Sequence, residues 1–528
     1  MRRRTFLGQL GAATAFAGLG PALPGLAGAA APEAAPGPGG VAPSAVLAFI
    51  DAAAAAAVEL HSLVVARHGR IAARGWWAPY RAEAPHSLYS LSKSFTSTAI
   101  GFAVAENRLK RSDRVVDFFP YQTPAKVDVR LAALRVEHLL TMSVGQASDA
   151  TRVVSHSPDW VRTFLSLPLA FEPGSVFCYN SAASYMLSAI AQAVTGERIV
   201  DYLRPRLFDP LGMPPMHWAV SPQGVNTGGW GLSATTETLF RFGQFYLQQG
   251  RWNGRRLLPA EWIRQATAFK IQQPATQGQA LSALQQTSDW HQGYGYQFWR
   301  CRHDGYRGDG SFGQFCIVLP RLDAVIALTA RTLDLQGLLD LVWDHLLPGL
   351  EAGPLRQDPA LSARLGERLA GLSLAPPAGA RRSARYGGRR EYRIAPNALG
   401  VERLEVAFDD DACRLAFSIG DRRYPIACGI GRWHDGETLL PGTPPEFTEF
   451  IAADTDPGHP TRIAAAGAWR DDSAFEMQWR YYETPHFDTV VLRFADDRVE
   501  ASFLNSLTQM AAAVHPETRP VLNGRVSS

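Results

Sequence analysis

Ser90 and Lys93 stand three residues apart in the stretch His86-Ser87-Leu88-Tyr89-Ser90-Leu91-Ser92-Lys93-Ser94-Phe95-Thr96. The chain from there to Asn107 is apolar and free of proline, which predicts a buried helix with Ser90 at its N-terminal end. Residues three apart share a helix face, so the Lys93 amine can sit over the Ser90 hydroxyl. The free N–H groups of the first turn point to the same place. A serine hydroxyl is a poor nucleophile until a neighbour takes its proton. A lysine can take it only when burial has depressed its own pKa. The spacing alone carries little weight, because a serine three residues before a lysine often arises by chance. The setting carries more. Only four of the 52 basic residues are lysines (Lys93, Lys110, Lys126, Lys270), and lysine is almost never fully buried without a partner. A chain that prefers arginine and keeps a lysine inside an apolar helix points to a lysine that must lose its proton.

A second group is Glu172-Pro173-Gly174-Ser175-Val176-Phe177-Cys178-Tyr179-Asn180-Ser181. Pro-Gly makes a turn, and Tyr179-x-Ser181 leads into a helical run at 182–194. A phenol near a lysine can act as a base or relay a proton to a leaving group. The Ser181 hydroxyl can hydrogen-bond the lysine or the substrate. Taken alone, a core tyrosine with a capping serine is the simpler account.

The elements that must position these residues can be read in order. Residues 44–58 form an Ala-rich helix, and 62–66 and 71–76 flank a His68-Gly69 turn, a hairpin signature. Residues 115–270 are mainly helical. Three strands are predicted at 294–301, 314–319 and 324–330, and an amphipathic helix at 334–347. A sheet built from both ends of the domain, with helices packed on it and a helical insert between, fits this order. Composition turns to Pro, Ala and Arg over 355–381, and period-2 runs come after it at 404–408, 414–419, 475–482, 489–494 and 499–503. These predict a small sandwich or barrel. The expected domains are a signal peptide at 1–31, a linker at 32–43, a hydrolase domain at 44–350, a linker at 351–381 and an all-β domain at 382–515.

Composition excludes several functions. A net charge of +3 with no basic face beyond the cluster at 381–390 gives nucleic-acid binding no support. No HExxH, CxxC or phosphate-loop pattern occurs, so neither metal nor cofactor is expected. Arg2-Arg3-Arg4-Thr5-Phe6-Leu7 and a mild apolar run broken by Gly20, Pro21, Pro24 and Gly25 predict export by the twin-arginine route. Cleavage after a small-x-small site near residue 31 leaves no membrane span and a periplasmic or secreted protein. Five cysteines cannot all pair. Cys413 with Cys428, or Cys301 with Cys316, can form disulfides in an oxidising compartment, and buried free thiols are an equal alternative.

Ser90-x-x-Lys93, the Pro173-Gly174 turn before Tyr179-x-Ser181, and Gly231-Leu232-Ser233-Ala234-Thr235-Thr236 together resemble the serine β-lactamase-like hydrolases. That family includes class C β-lactamases, penicillin-binding proteins, esterases and 6-aminohexanoate-dimer hydrolases. His138-Leu139-Leu140-Thr141-Met142-Ser143, Trp230-Gly231 and Arg241-Phe242-Gly243 strengthen the likeness, which runs from about Ser44 to Leu350. The resemblance implies an α/β fold of the α+β type: an antiparallel sheet flanked by helices, an α-helical lobe, and the site between them. It implies that Ser90 attacks a carbonyl to form an acyl-enzyme, that Lys93 and Tyr179 share the proton work, and that the substrate is a small ester or amide. A D,D-peptidase or β-lactamase is the nearest rival, and a non-catalytic binding or sensor module of the same fold is the more distant one.

The third family motif departs. The family carries Lys-Thr-Gly, or His-x-Gly in esterases, on the strand beside the nucleophile. Here the stretch is Tyr306-Arg307-Gly308-Asp309-Gly310-Ser311-Phe312-Gly313-Gln314, with Asp309 near the position of the cation. One oxyanion donor is expected to be the Ser90 N–H and the other the Ser311 N–H, with Phe312 next. Ser181 stands where class C enzymes have Asn. Arg307 and Arg302 are expected in solvated turns, so that Asp309 would repel a substrate carboxylate. His486-Phe487-Asp488 is expected to be a surface turn without chemistry.

Overall fold

The computed structural model describes residues 40–276, 278–351, 358–445 and 460–527. The expected signal peptide and residues 32–39 of the expected linker lie outside the described residues. Among the described residues no helix is long and apolar enough to cross a membrane.

The N-terminal half is built on a six-stranded sheet drawn from both ends of the region. Its strands are β1 (Glu59–Arg67), β2 (Arg70–Trp76), β3 (Trp299–Arg300), β4 (Tyr306–Gly310), β5 (Gln314–Leu319) and β6 (Ala324–Arg331), in the spatial order β2-β1-β6-β5-β4-β3. His68 and Gly69 both take positive φ (53° and 70°) in the turn between β1 and β2. That backbone twist suits a two-residue hairpin. The sheet is covered on both faces, so β1 and β6 are buried along nearly their whole length. Alternate residues serve different cores, as the two-residue strand period requires. Leu63, Val65, Ile326 and Leu328 pack toward helix α1 (Pro43–Ala55) and the helical run 335–351, whereas Val64, Ala66, Val325 and Ala327 pack toward the helical lobe.

The lobe is centred on helices α2 (Ser92–Ala105) and α3 (Ser181–Thr195). Ser90 precedes α2 within a 3₁₀ turn, Tyr89–Leu91. The predicted strand at 294–301 shortens to Trp299–Arg300. Gln297 adopts φ 62° and turns its amide inward, where it donates to the carbonyls of Leu139 and Leu140 (3.1 and 3.0 Å). The polar side chain breaks the strand that the surrounding aromatics favour. The 351–381 stretch read as a linker carries helix α4 (Pro359–Ala370), capped by Asp358, and Leu365 and Leu372 enter the core beside α1. Alanine, which in that stretch looks like linker composition, is also the best helix former.

The C-terminal strands form one ten-stranded sheet. A meander from Gly388–Ile394 to Arg422–Ile430 and another from Thr461–Asp471 to Leu522–Val526 meet at two seams. At one, Gly388–Ile394 pairs antiparallel with Leu522–Val526; at the other, Gly429 and Ile430 pair in parallel with Ala466 and Gly467, which closes a barrel. Its core is aromatic and aliphatic, including Phe417, Trp469, Met477 and Trp479. Cys413 and Cys428 face each other in register, and all five cysteines are free thiols.

The barrel is joined to the N-terminal half by a small apolar cluster of Tyr80, Ala84, Ala464 and Tyr482 and by polar contacts. Arg480 makes two bonds to the Glu59 carboxylate (2.8 and 2.9 Å), and Arg81 makes two to Asp435 (2.9 and 2.7 Å). The Ser87 N–H donates to the Glu483 carbonyl at 2.8 Å, and the Tyr80 hydroxyl donates to the Thr484 carbonyl at 3.0 Å.

Candidate active site

Lys93 is 1% exposed, and its amine lies 3.1 Å from Ser90 Oγ, 2.9 Å from Ser181 Oγ and 2.7 Å from the carbonyl oxygen of Gly229. Burial pushes its pKa from 10.5 down to about 7, against the opposing pull of the Asp149 and Asp309 carboxylates. Ser181 is the first residue of α3, whose N-terminus is capped by the Asn180 side chain. The carbonyl of Gly229 reaches the amine because that residue has no side chain: a Cβ there would lie 2.7 Å from the Ser181 carbonyl oxygen.

Tyr179 closes the group from above. Its ring lies 4.9 Å from the Lys93 amine and stacks on Trp299 at 5.5 Å. Burial, with the nearby Asp309 charge, holds the phenol far above its usual pKa, so it stays protonated. The loop that carries Tyr179 is fixed by the 138–143 motif. Cys178 N–H donates to the Met142 carbonyl (2.8 Å) and Gly174 N–H to the Ser143 carbonyl (2.7 Å).

Strand β4 lies directly against the Tyr89–Leu91 turn. A Cβ on Gly310 would sit 2.1 Å from the Leu88 carbonyl oxygen, so only glycine allows this approach. It brings Ser311, at the turn into β5, beside the Tyr89–Leu91 turn; the Ser311 side chain itself is exposed. Asp309 is 8% exposed and does not stand alone. Arg307, two residues earlier and so on the same strand face, donates from Nε to Asp309 Oδ2 at 3.0 Å, with Nη2 at 2.9 Å. Arg307 is fully buried, not solvated as its turn-like sequence suggested, and Arg302 is likewise engaged, by Asp289 (3.0 Å) and Asp340. The expected repulsion of a carboxylate is corrected accordingly: the Arg307 guanidinium offsets the Asp309 charge.

The site residues expected from sequence therefore fall into two sets. Ser90, Lys93, Tyr179 and Ser181 converge on one point, while Asp309 serves Arg307. His486 was missed. It is buried, not on a surface turn, and the Tyr89 hydroxyl lies 2.7 Å from its Nε2. Nothing in its local sequence signals this, because the contact joins residues 397 apart. Gly228-Gly229 was also missed, although paired glycines just before the 230–236 motif were a legible sign of close backbone approach. Beyond Tyr179 a cleft of about 510 Å³ opens between aromatic walls that include Phe171, Phe177, Trp290 and Trp299.

A family model described as Beta-lactamase matches residues 49–344, more than half of the chain. The 6-aminohexanoate-dimer hydrolase of Paenarthrobacter ureafaciens is 25% identical over 286 residues, covering 50% of this chain and 71% of that protein. The Beta-lactamase of Escherichia coli (strain K12) is 25% identical over 243 residues, covering 42% of this chain and 58% of that protein. The solved structure of a β-lactamase-like protein from Bacteroides dorei DSM 17855 covers 58% of this chain and 99% of its own, at 18% identity and a TM-score of 0.50, a likeness of fold. With the sheet, the helical lobe and the matched motifs in place, the chain belongs to the β-lactamase family of serine hydrolases.

Proposed function

We propose that this is an exported serine hydrolase that cleaves an uncharged ester or amide through an acyl-enzyme on Ser90. The observation that carries the reading is the buried Lys93 amine, brought near neutrality and held 3.1 Å from Ser90 Oγ. A neutral amine has two N–H groups and one lone pair. The Gly229 carbonyl can only accept, so it takes one N–H, and Ser181 Oγ takes the other. The lone pair is left for the Ser90 O–H.

As Ser90 Oγ attacks the carbonyl carbon, its proton passes to Lys93. The negative charge that develops on the carbonyl oxygen is met by the N–H groups of Ser90 and Ser311. Tyr179, kept protonated by burial, gives its proton to the leaving group and is resupplied by Lys93 as the bond to the leaving group breaks. Water then attacks the acyl-enzyme, Lys93 takes its proton and returns it to Ser90 Oγ as the acyl–oxygen bond breaks, and the acid departs. The aromatic cleft and the engagement of Arg307 by Asp309 favour an uncharged substrate over a carboxylate-bearing penicillin. The arginine-rich start and the small-residue cleavage sites support export to the periplasm or beyond.

A fluorophosphonate probe followed by peptide mapping tests the reading. Label on Ser90 is expected; folded protein that stays unlabelled contradicts it and favours a binding module. In the same protein a p-nitrophenyl butyrate rate above that of benzylpenicillin is expected, and the reverse order contradicts the substrate assignment.

A further inference from the structure

Two residues beside the oxyanion site hold a backbone conformation that side chains rarely adopt. Tyr89, which precedes Ser90, has φ 48°, and Phe312, which comes after Ser311, has φ 68°. Their rings meet edge to face at 5.3 Å. Both also meet the imidazole of His486, which arrives from the barrel: its ring centroid is 5.1 Å from that of Phe312, and its Nε2 is 2.7 Å from the Tyr89 hydroxyl oxygen. We propose that His486 is a positioning residue for the oxyanion site, fixing the Tyr89–Ser90 and Ser311–Phe312 turns against each other. The inference rests on Ser90 being the nucleophile.

The loop that presents His486 is braced from both sides. Within the barrel, His486 Nδ1 lies 3.2 Å from Ser506 Oγ, and its N–H donates to Thr484 Oγ1 at 3.1 Å. Asp488 is held by two bonds from Arg519 (2.7 and 2.8 Å) and one from the Tyr481 hydroxyl (2.5 Å). Toward the catalytic half, the Glu483 and Thr484 carbonyls accept from Ser87 and Tyr80. Burial depresses the His486 pKa to about 3, so the ring is a neutral hydrogen-bonding partner at working pH. An oxyanion donor is effective only when it is already aimed where the charge will develop. Two left-handed turns offer that aim only while something outside them holds them in place.

The test uses the full chain. His486→Ala should lower kcat by about ten- to a hundredfold, below the cost of losing a whole donor, with KM within about twofold because ground-state binding is untouched. Tyr89→Phe keeps the ring and deletes the bonded oxygen, and should lower kcat about tenfold. His486→Gln, which can still bond the phenol, should recover most of the loss. In the double variant Tyr89→Phe/His486→Ala the effects should not add. A folded His486→Ala enzyme with kcat within about threefold of wild type overturns the inference, as do additive losses in the double variant or no recovery with His486→Gln. If His486→Ala does not fold, Tyr89→Phe decides: kcat within about twofold of wild type overturns the inference. Wild type that fails to label at Ser90 overturns both this inference and the hydrolase reading, whereas normal labelling with indifferent variants overturns this inference alone.

Discussion

Replacing Lys93 by Met should abolish turnover and, at neutral pH, stabilise the fold. The fall of the Lys93 pKa from 10.5 to about 7 is caused chiefly by burial. At about 1.4 kcal/mol per pH unit it costs the folded state about 5 kcal/mol at pH 7. Against this stand the three polar contacts of the amine, each contributing about 1 kcal/mol. Methionine fills a similar volume without the charge, so Lys93→Met should be more stable than wild type by about 2 kcal/mol at pH 7. The sign then reverses. Between pH 7 and 10.5 the unfolded chain keeps a lysine proton that the folded chain has released, so raising the pH favours the folded wild type. Over two pH units the wild type should gain about 2.7 kcal/mol on the variant, which places the crossover between pH 8 and 9. Urea unfolding monitored by tryptophan fluorescence at pH 7, 8 and 9 measures the difference. A difference that does not change with pH refutes a depressed Lys93 and with it the neutral-amine mechanism.

Three other perturbations probe the geometry. His61, pushed down to about 4, and His486, to about 3, both by burial, are protonated first in the unfolded chain. Stability should therefore fall as pH drops from 6.5 toward 4, by about 1.4 kcal/mol per pH unit for each ring; a urea midpoint that holds steady from pH 6.5 to 4.5 contradicts this. Gly310→Ala would place a Cβ 2.1 Å from the Leu88 carbonyl oxygen and should cut kcat by about a hundredfold by moving β4 off the nucleophile turn, which steady-state kinetics will read. Arg307→Met leaves the buried Asp309 carboxylate unpaired and should cost about 3–5 kcal/mol, with Arg307→Met/Asp309→Leu recovering part of it in the same unfolding assay.

Much of the site was legible because it is written in local spacing. Ser90 and Lys93 share a helix turn, and Tyr179 and Ser181 flank the cap of the next helix, so four residues could be named from two short motifs. Most of the sheet was legible from its hairpin turn and short apolar runs, and the barrel from its period-2 runs. What escaped was set by contacts distant in sequence. Asp309 was read as a free charge because a strand so rich in glycine and charge looks like a turn, although Arg307 at i−2 shares its strand face. Gln297 broke an aromatic strand through bonds to residues nearly 160 positions away. His486 reads as an ordinary loop histidine until the barrel is docked on the catalytic half.

The central claim is that Ser90 carries the acyl group. Intact-mass measurement of the enzyme mixed with excess p-nitrophenyl ester and quenched in acid within the first turnovers tests it directly. The wild type should gain one acyl mass, mapping to the peptide that contains Ser90, and Ser90→Ala should gain none. An acyl adduct on the Ser90→Ala protein during turnover, or turnover by that variant at the wild-type rate, contradicts the account.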